Sequence, residues 1–88
     1  MIPIGFDMVV FKEGKAYVAY SPELDVSSCG RTVAQARRNL KTAVRLFVEE
    51  AEKMGTLDDI LAESGYRKDA SGKWTPPAMI AVETVEMG

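Results

Sequence analysis

The chain contains no histidine. That removes the side chain most often used as a general base near neutral pH and as a metal ligand. It contains one cysteine, Cys29. One thiol makes no intrachain disulfide and no cysteine-based zinc site. A single free thiol fits a reducing compartment, so a cytoplasmic location is expected. With no histidine to activate it, Cys29 reads as a small, buried or half-buried apolar residue rather than a nucleophile. Long hydrophobic runs are missing too, and none approaches the roughly 18 residues of a membrane span. The opening run MIPIGFDMVV has no basic flank and is interrupted by Asp7. It reads as a strand and not as a signal peptide, so no membrane partner is expected. Strong charge of one sign is also absent. A net charge of −2 gives no global electrostatic reason to bind nucleic acid.

What is present is an ordinary globular composition. Hydrophobic residues make up 47% and charged residues 27% of the 88 positions, which separates the chain from disordered sequences. This length supports one domain, residues 1–88, with a thin core that association between copies would help. Ile4 to Phe11 and Ala16 to Tyr20 are rich in strand formers, joined by the hairpin-length Lys12-Glu13-Gly14-Lys15. A turn closing on Glu13-Gly14 sets Val10 opposite Tyr17 and Val9 opposite Val18. One face then carries Ile4, Phe6, Met8, Val10, Tyr17 and Ala19. The other carries Asp7, Val9, Phe11, Ala16, Val18 and Tyr20. Both faces are largely apolar, and one helix layer covers only one of them. The second is expected to meet another copy or a partner, in preference to a curled sheet or a C-terminal segment of the same chain folding over it. Ser21-Pro22 ends the second strand. Val26 to Cys29 reads as a third, and Gly30 permits a sharp turn after it.

A helix follows. Thr32 suits the N-cap, and Gln35 three residues on completes a capping box. Val33, Ala36, Leu40, Ala43, Val44, Phe47, Ala51 and Met54 recur in steps of three and four, one apolar stripe. Gly55 is placed as the stop. Thr56 suits the cap of a shorter helix with Asp58 and Asp59 in its first turn, ending near Ser64-Gly65. Asp69-Ala70-Ser71-Gly72 is a turn sequence. Pro76-Pro77 is a stiff joint, and Ala78 to Val85 reads as a final strand. The expected architecture is α+β: a three-stranded antiparallel meander, a main helix, a short helix and a fourth strand (β-β-β-α-α-β). The helices lie on one face of the sheet. The last strand crosses over after the helices, right-handed if it runs parallel to a neighbour.

A hairpin ending YVAYSPELDVSSCG, followed by a capped helix TVAQARRNLKTAVRLFVEEA, resembles the HicB-like antitoxin family. The matching positions are Tyr17, Val18, Ala19, Pro22, Leu24, Asp25, Gly30, Thr32, Ala36, Asn39 and Leu40. The resemblance covers residues 4 to 54 well and the final strand loosely. It implies a fold similar to a trimmed ribonuclease H core. It also implies a homo-oligomer, dimer or tetramer, that binds and inhibits a small HicA-like toxin cleaving messenger RNA with a histidine. Many members carry a further C-terminal DNA-binding unit. This sequence runs from the final strand to Gly88 without one, so DNA binding by this chain is not expected. Within the opening of this pattern, Pro22 ends a strand, Gly30 allows a turn and Thr32 caps a helix. These are structural tasks, and the stretch reads as a corner rather than a catalytic loop.

The remaining candidates follow from charge. Ribonuclease H chemistry needs carboxylates converging on two metal ions. Asp7, Glu49, Glu50 and Glu83 are the nearest candidates, and nothing in their spacing forces them together. No catalytic, cofactor-binding or metal-binding residue is therefore assigned, and a non-enzyme is expected; the alternatives are a metal-dependent nuclease of ribonuclease H-like descent and a stand-alone regulatory oligomer with no toxin. Residues 31 to 45 hold Arg31, Arg37, Arg38, Lys41 and Arg45 and no acid. Residues 46 to 63 hold Glu49, Glu50, Glu52, Asp58, Asp59 and Glu63 against Lys53 alone. This order runs against the helix dipole, and Arg37, Lys41 and Arg45 repel along one side. Arg45–Glu49 pairing, an acidic region of another subunit or an acidic ligand would offset it. A solvated face is the plainest reading, a protein contact the next and nucleic acid the last. Trp74, near Tyr66 and the Asp69 turn, suits either a partner hot spot or a cover over a small core, more often the latter. The candidate partner contacts are Arg37, Arg38, Lys41, Arg45 and Trp74.

Overall fold

A computed structural model describes residues 3–88. Met1 and Ile2, the start of the apolar run read as a strand, lie outside the described residues. The chain is α+β. Strands β1 (Val9–Glu13), β2 (Ala16–Ser21) and β3 (Val26–Gly30) form an antiparallel sheet in the order β1-β2-β3. Helix α1 (Val33–Met54) and the short α2 (Leu57–Glu63) follow, then a two-stranded hairpin of β4 (Arg67–Lys68) and β5 (Trp74–Thr75).

The first hairpin closes on Gly14-Lys15 and not on Glu13-Gly14. Glu13 lies opposite Ala16, and Val10 opposite Ala19. Gly14 has φ 63° while Lys15 stays at negative φ, the pattern of a two-residue turn with glycine first. The register differs from the expected one by two residues. Side chains alternate with period two, so the two faces keep the membership read from the sequence. β1 starts at Val9 because β2 stops at Ser21, before Pro22. The earlier residues take another partner. Trp74 N–H donates to the Pro3 carbonyl (3.0 Å), and Gly5 N–H donates to the Trp74 carbonyl (3.1 Å). This makes a parallel bridge between Ile4 and Trp74.

The segment that crosses back beside the N-terminal strand is therefore Trp74–Thr75. Residues 78–85, read as the final strand, form no ladder. The physical reason is adjacent in sequence. Pro76 and Pro77 present no N–H, so the β5 pairing cannot continue through them.

Helix α1 begins with the expected Thr32 cap, while the Gln35 side chain reaches one residue further back than in a capping box. Thr32 Oγ1 accepts from Gln35 N–H (3.0 Å), and Gln35 Oε1 accepts from Arg31 N–H (2.6 Å). Gly55 ends it in the left-handed region. At Thr56 the side chain makes no cap bond. Its hydroxyl donates to the Ala51 carbonyl instead (3.4 Å), so α2 starts without the expected cap. α1 packs across β3 and β2 and barely reaches β1. A Cβ on Gly30 would meet Ala36 N at 2.7 Å. Glycine there serves close approach of helix to strand.

The core is Ala19, Leu24, Ala36, Leu40, Val44, Val48, Ala51, Leu57, Leu61, Tyr66 and Trp74. The stripe on α1 is as expected in its middle, with Val48 added. Its ends, Val33 and Met54, are exposed. Tyr66 O–H donates to the Gly5 carbonyl (2.8 Å), tying the chain after α2 to the N-terminal strand. Burial, then the nearby charges of Glu23 and Asp7, push its pKa up.

Candidate functional site

The basic start of α1 is where the sequence pointed. Arg37, Arg38, Lys41 and Arg45 are all exposed. Arg37 and Lys41 border a groove of about 390 Å³ whose other walls are Ile4, Gly5, Phe6, Met8 and Val10. The groove exists because α1 lies over β3 and β2 and leaves the helix side of β1 open. Its floor is apolar, its rim is cationic, and it runs beside the free edge of β1. Arg38 and Arg45 do not line it. Nothing in the sequence marks the Phe6–Met8–Val10 wall as an open surface, because alternation does not say which of the two apolar faces the helix layer covers, or how far.

Trp74, the fifth candidate, lies inside. It is 7% exposed, with the Lys68 ammonium 5.6 Å from its ring centroid. Its burial matches the covering role. The hairpin that carries it is fixed by Asp69. Asp69 Oδ1 accepts from Ser71 Oγ (2.6 Å), Ser71 N–H (2.9 Å) and Lys73 N–H (3.0 Å). The Ser71 hydroxyl bond, with help from Lys73, holds this carboxyl below its ordinary pKa.

Among the described residues no helix packs on the other face of the sheet. Val9, Val18 and Tyr20 are half-buried, Phe11 is 55% exposed, and Cys29 is exposed. Cys29 was expected to be at least half-buried. It instead pairs with Val18 on the open face, while its carbonyl accepts from Asn39 Nδ2 (2.8 Å). Tyr20 O–H donates to Asp25 Oδ1 (3.0 Å), and that bond raises the tyrosine pKa. Asp25 holds φ 54°, a left-handed position that aspartate tolerates better than most residues.

The carboxylates considered for metal chemistry are dispersed. Among the described residues no three acidic, cysteine or histidine side chains come together in a way that could hold a metal ion. Asp7 neighbours Glu23, whose Oε1 accepts from Asp7 N–H (2.6 Å). Sequence reasoning missed Glu23, since nothing in Pro22-Glu23-Leu24 marks it as a cap for the opposite strand. The acidic half of the helical layer is wholly at the surface: Glu49, Glu50, Glu52, Asp58, Asp59 and Glu63 are exposed. Glu52 and Asp58 border one hollow at the corner between α1 and α2. Among the described residues no helix is long and apolar enough to cross a membrane.

The arrangement thus presents contact surfaces: a cationic groove, an apolar sheet face and an acidic corner. Comparison with family models, curated proteins and solved structures returns no match for this chain.

Proposed function

We propose that this chain is a HicB-like, antitoxin-type binding protein that acts without catalysis and inhibits a small RNA-cleaving toxin by direct contact. The observation that carries the reading is the acidic corner. Six exposed carboxylates on α1 and α2 stand against Lys53 alone over residues 46–63. A protein that binds messenger RNA must present cations to phosphates. An acidic helical surface competes for those same cations and steers the encounter. The β-β-β-α core, with Thr32 and Gly30 in the places that the family pattern requires, supports the same reading. The basic start of α1 would repel a cationic toxin, so its task is assigned elsewhere.

The test begins with the tagged full chain recovered from its native cells. A small cationic protein at equal stoichiometry is expected, identified by mass spectrometry. Adding the purified chain should then stop RNA cleavage by that protein. The double variant Glu52→Lys, Asp58→Lys should lose this inhibition. Recovery of this chain alone, or no inhibition of RNA cleavage, would sink the toxin reading and leave a stand-alone regulatory oligomer, whereas inhibition untouched by the charge reversal would remove the acidic corner as the contact.

A further inference from the structure

We propose that the groove between α1 and β1 is the docking site for residues 78–87 of a second copy, added as a strand along the free edge of β1. This goes beyond the toxin reading and does not depend on it.

The donor is an unpaired strand. Residues 78–85 have the composition of one, yet they make no ladder. Their apolar side chains stand in solvent, with Ile80 91% and Val82 72% exposed, and Met79, Val85 and Met87 exposed as well. Backbone N–H and C=O groups in a strand-forming segment gain most from a partner strand. Pro76-Pro77 breaks its continuity with β5, so an exchange between copies needs no rearrangement of the core.

The acceptor is a sheet edge beside a trough lined by apolar side chains. Among the described residues β1 has a neighbour on the β2 side only, and the helix layer leaves Phe6, Met8 and Val10 facing the groove. A strand of eight residues is about 26 Å long, ample for the five residues of β1.

Charge selects the occupant. The groove rim is Arg37 and Lys41, while the segment carries Glu83 and Glu86 and no cation. Alternation places Met79, Ala81, Glu83, Val85 and Met87 on one side of the strand. Ile80, Val82, Thr84 and Glu86 fall on the other. Each side is apolar with one carboxylate. Whichever side enters the groove sets an acid toward Arg37 and Lys41, and the opposite side extends the apolar face of Val9 and Phe11. The repulsion among bases at the start of α1 is thereby offset by a neighbour's acids. A cationic partner would meet like charge here.

The experiment is sedimentation equilibrium of the full chain over a dilution series, with hydrogen exchange on the same samples. A reversible assembly is expected, with amides 79–87 slowing as it forms. Val82→Pro alters an exposed residue outside any ladder, so the thermal unfolding of the dilute monomer should not move. It should raise the dissociation constant about tenfold to a hundredfold. Arg37→Glu with Lys41→Glu should weaken assembly, as should Glu83→Lys with Glu86→Lys. An equimolar mixture of these two charge-reversed chains should assemble again, because both arms of the mixed dimer are matched. The proposal is overturned by a monomer at every concentration, by an assembly indifferent to Val82→Pro, or by 79–87 exchanging freely in the assembled state. None of these results bears on toxin inhibition, which is read with a different protein and at a different surface.

Discussion

The two faces of the three-stranded sheet are built from the same kinds of residue on the same strands. On one, Ala19 and Ser21 are fully buried beneath α1. On the other, Phe11 stands half in water and Cys29 is exposed. Residue type does not decide between them. The difference comes from where the helix lands. α1 starts three residues after β3 and is pinned there by the Thr32–Gln35 capping bonds, while Gly30 lets it approach the strand. A helix launched from that corner lies over β3 and β2. It barely reaches β1 and lies away from the opposite face.

That contrast can be sharpened from its strongest element downward. Leu40→Ala empties the middle of the covered face, where the side chain is 0% exposed. It should cost about 2–5 kcal/mol by denaturant unfolding. A cost near zero would mean that the helix is not seated as described. Thr32→Ala removes the bond that fixes the landing point. About 1 kcal/mol should be lost, together with faster amide exchange in the first turn of α1.

Tyr66→Phe tests the tie between the covered side and the N-terminal strand, and should cost about 0.5–1.5 kcal/mol. Its pH signature is distinct. Burial raises the phenol's pKa in the folded chain. The stabilisation is therefore complete below the ordinary tyrosine value of about 10 and is lost as pH climbs above it. The parent chain should lose stability in that alkaline range more steeply than Tyr66→Phe. Equal slopes would remove the assigned burial. Smallest is the open face. Phe11→Ser should change the stability of the dilute monomer by no more than about 0.5 kcal/mol. A loss comparable with that of Leu40→Ala would show that this face is covered within one chain.

Much of the covered half was legible in the sequence, because its signals are local. The i, i+3, i+4 stripe, the Thr32 cap, the Gly55 stop and the Asp69 turn each act within a few residues. Parity survived even a misplaced turn, since a slip of two leaves every side chain on its face. What escaped was set at long range. Trp74 bonds to Pro3 and Gly5 across the whole chain, and this supplies the crossing strand that alternation had placed at Ala78–Val85. Alternation reports that a segment suits a ladder, not that a partner is present. The candidate site divides the same way. The cationic row was plain in the helix spacing, whereas the trough beside it depends on how far α1 extends sideways over the sheet.

Pro76-Pro77 has a consequence for how the molecule comes apart. Two successive residues without an N–H insulate the segment beyond them from the cooperative unit before them. Strand additions that grow from an existing ladder share its fate, melting and forming as one. Here the bonds at Trp74 and Tyr66 are made by residues before the proline pair and use none of residues 78–88. The segment lies outside the ladder that ends at Thr75. A second copy that engages it binds the folded chain alone, so such binding would raise Tm with concentration by mass action.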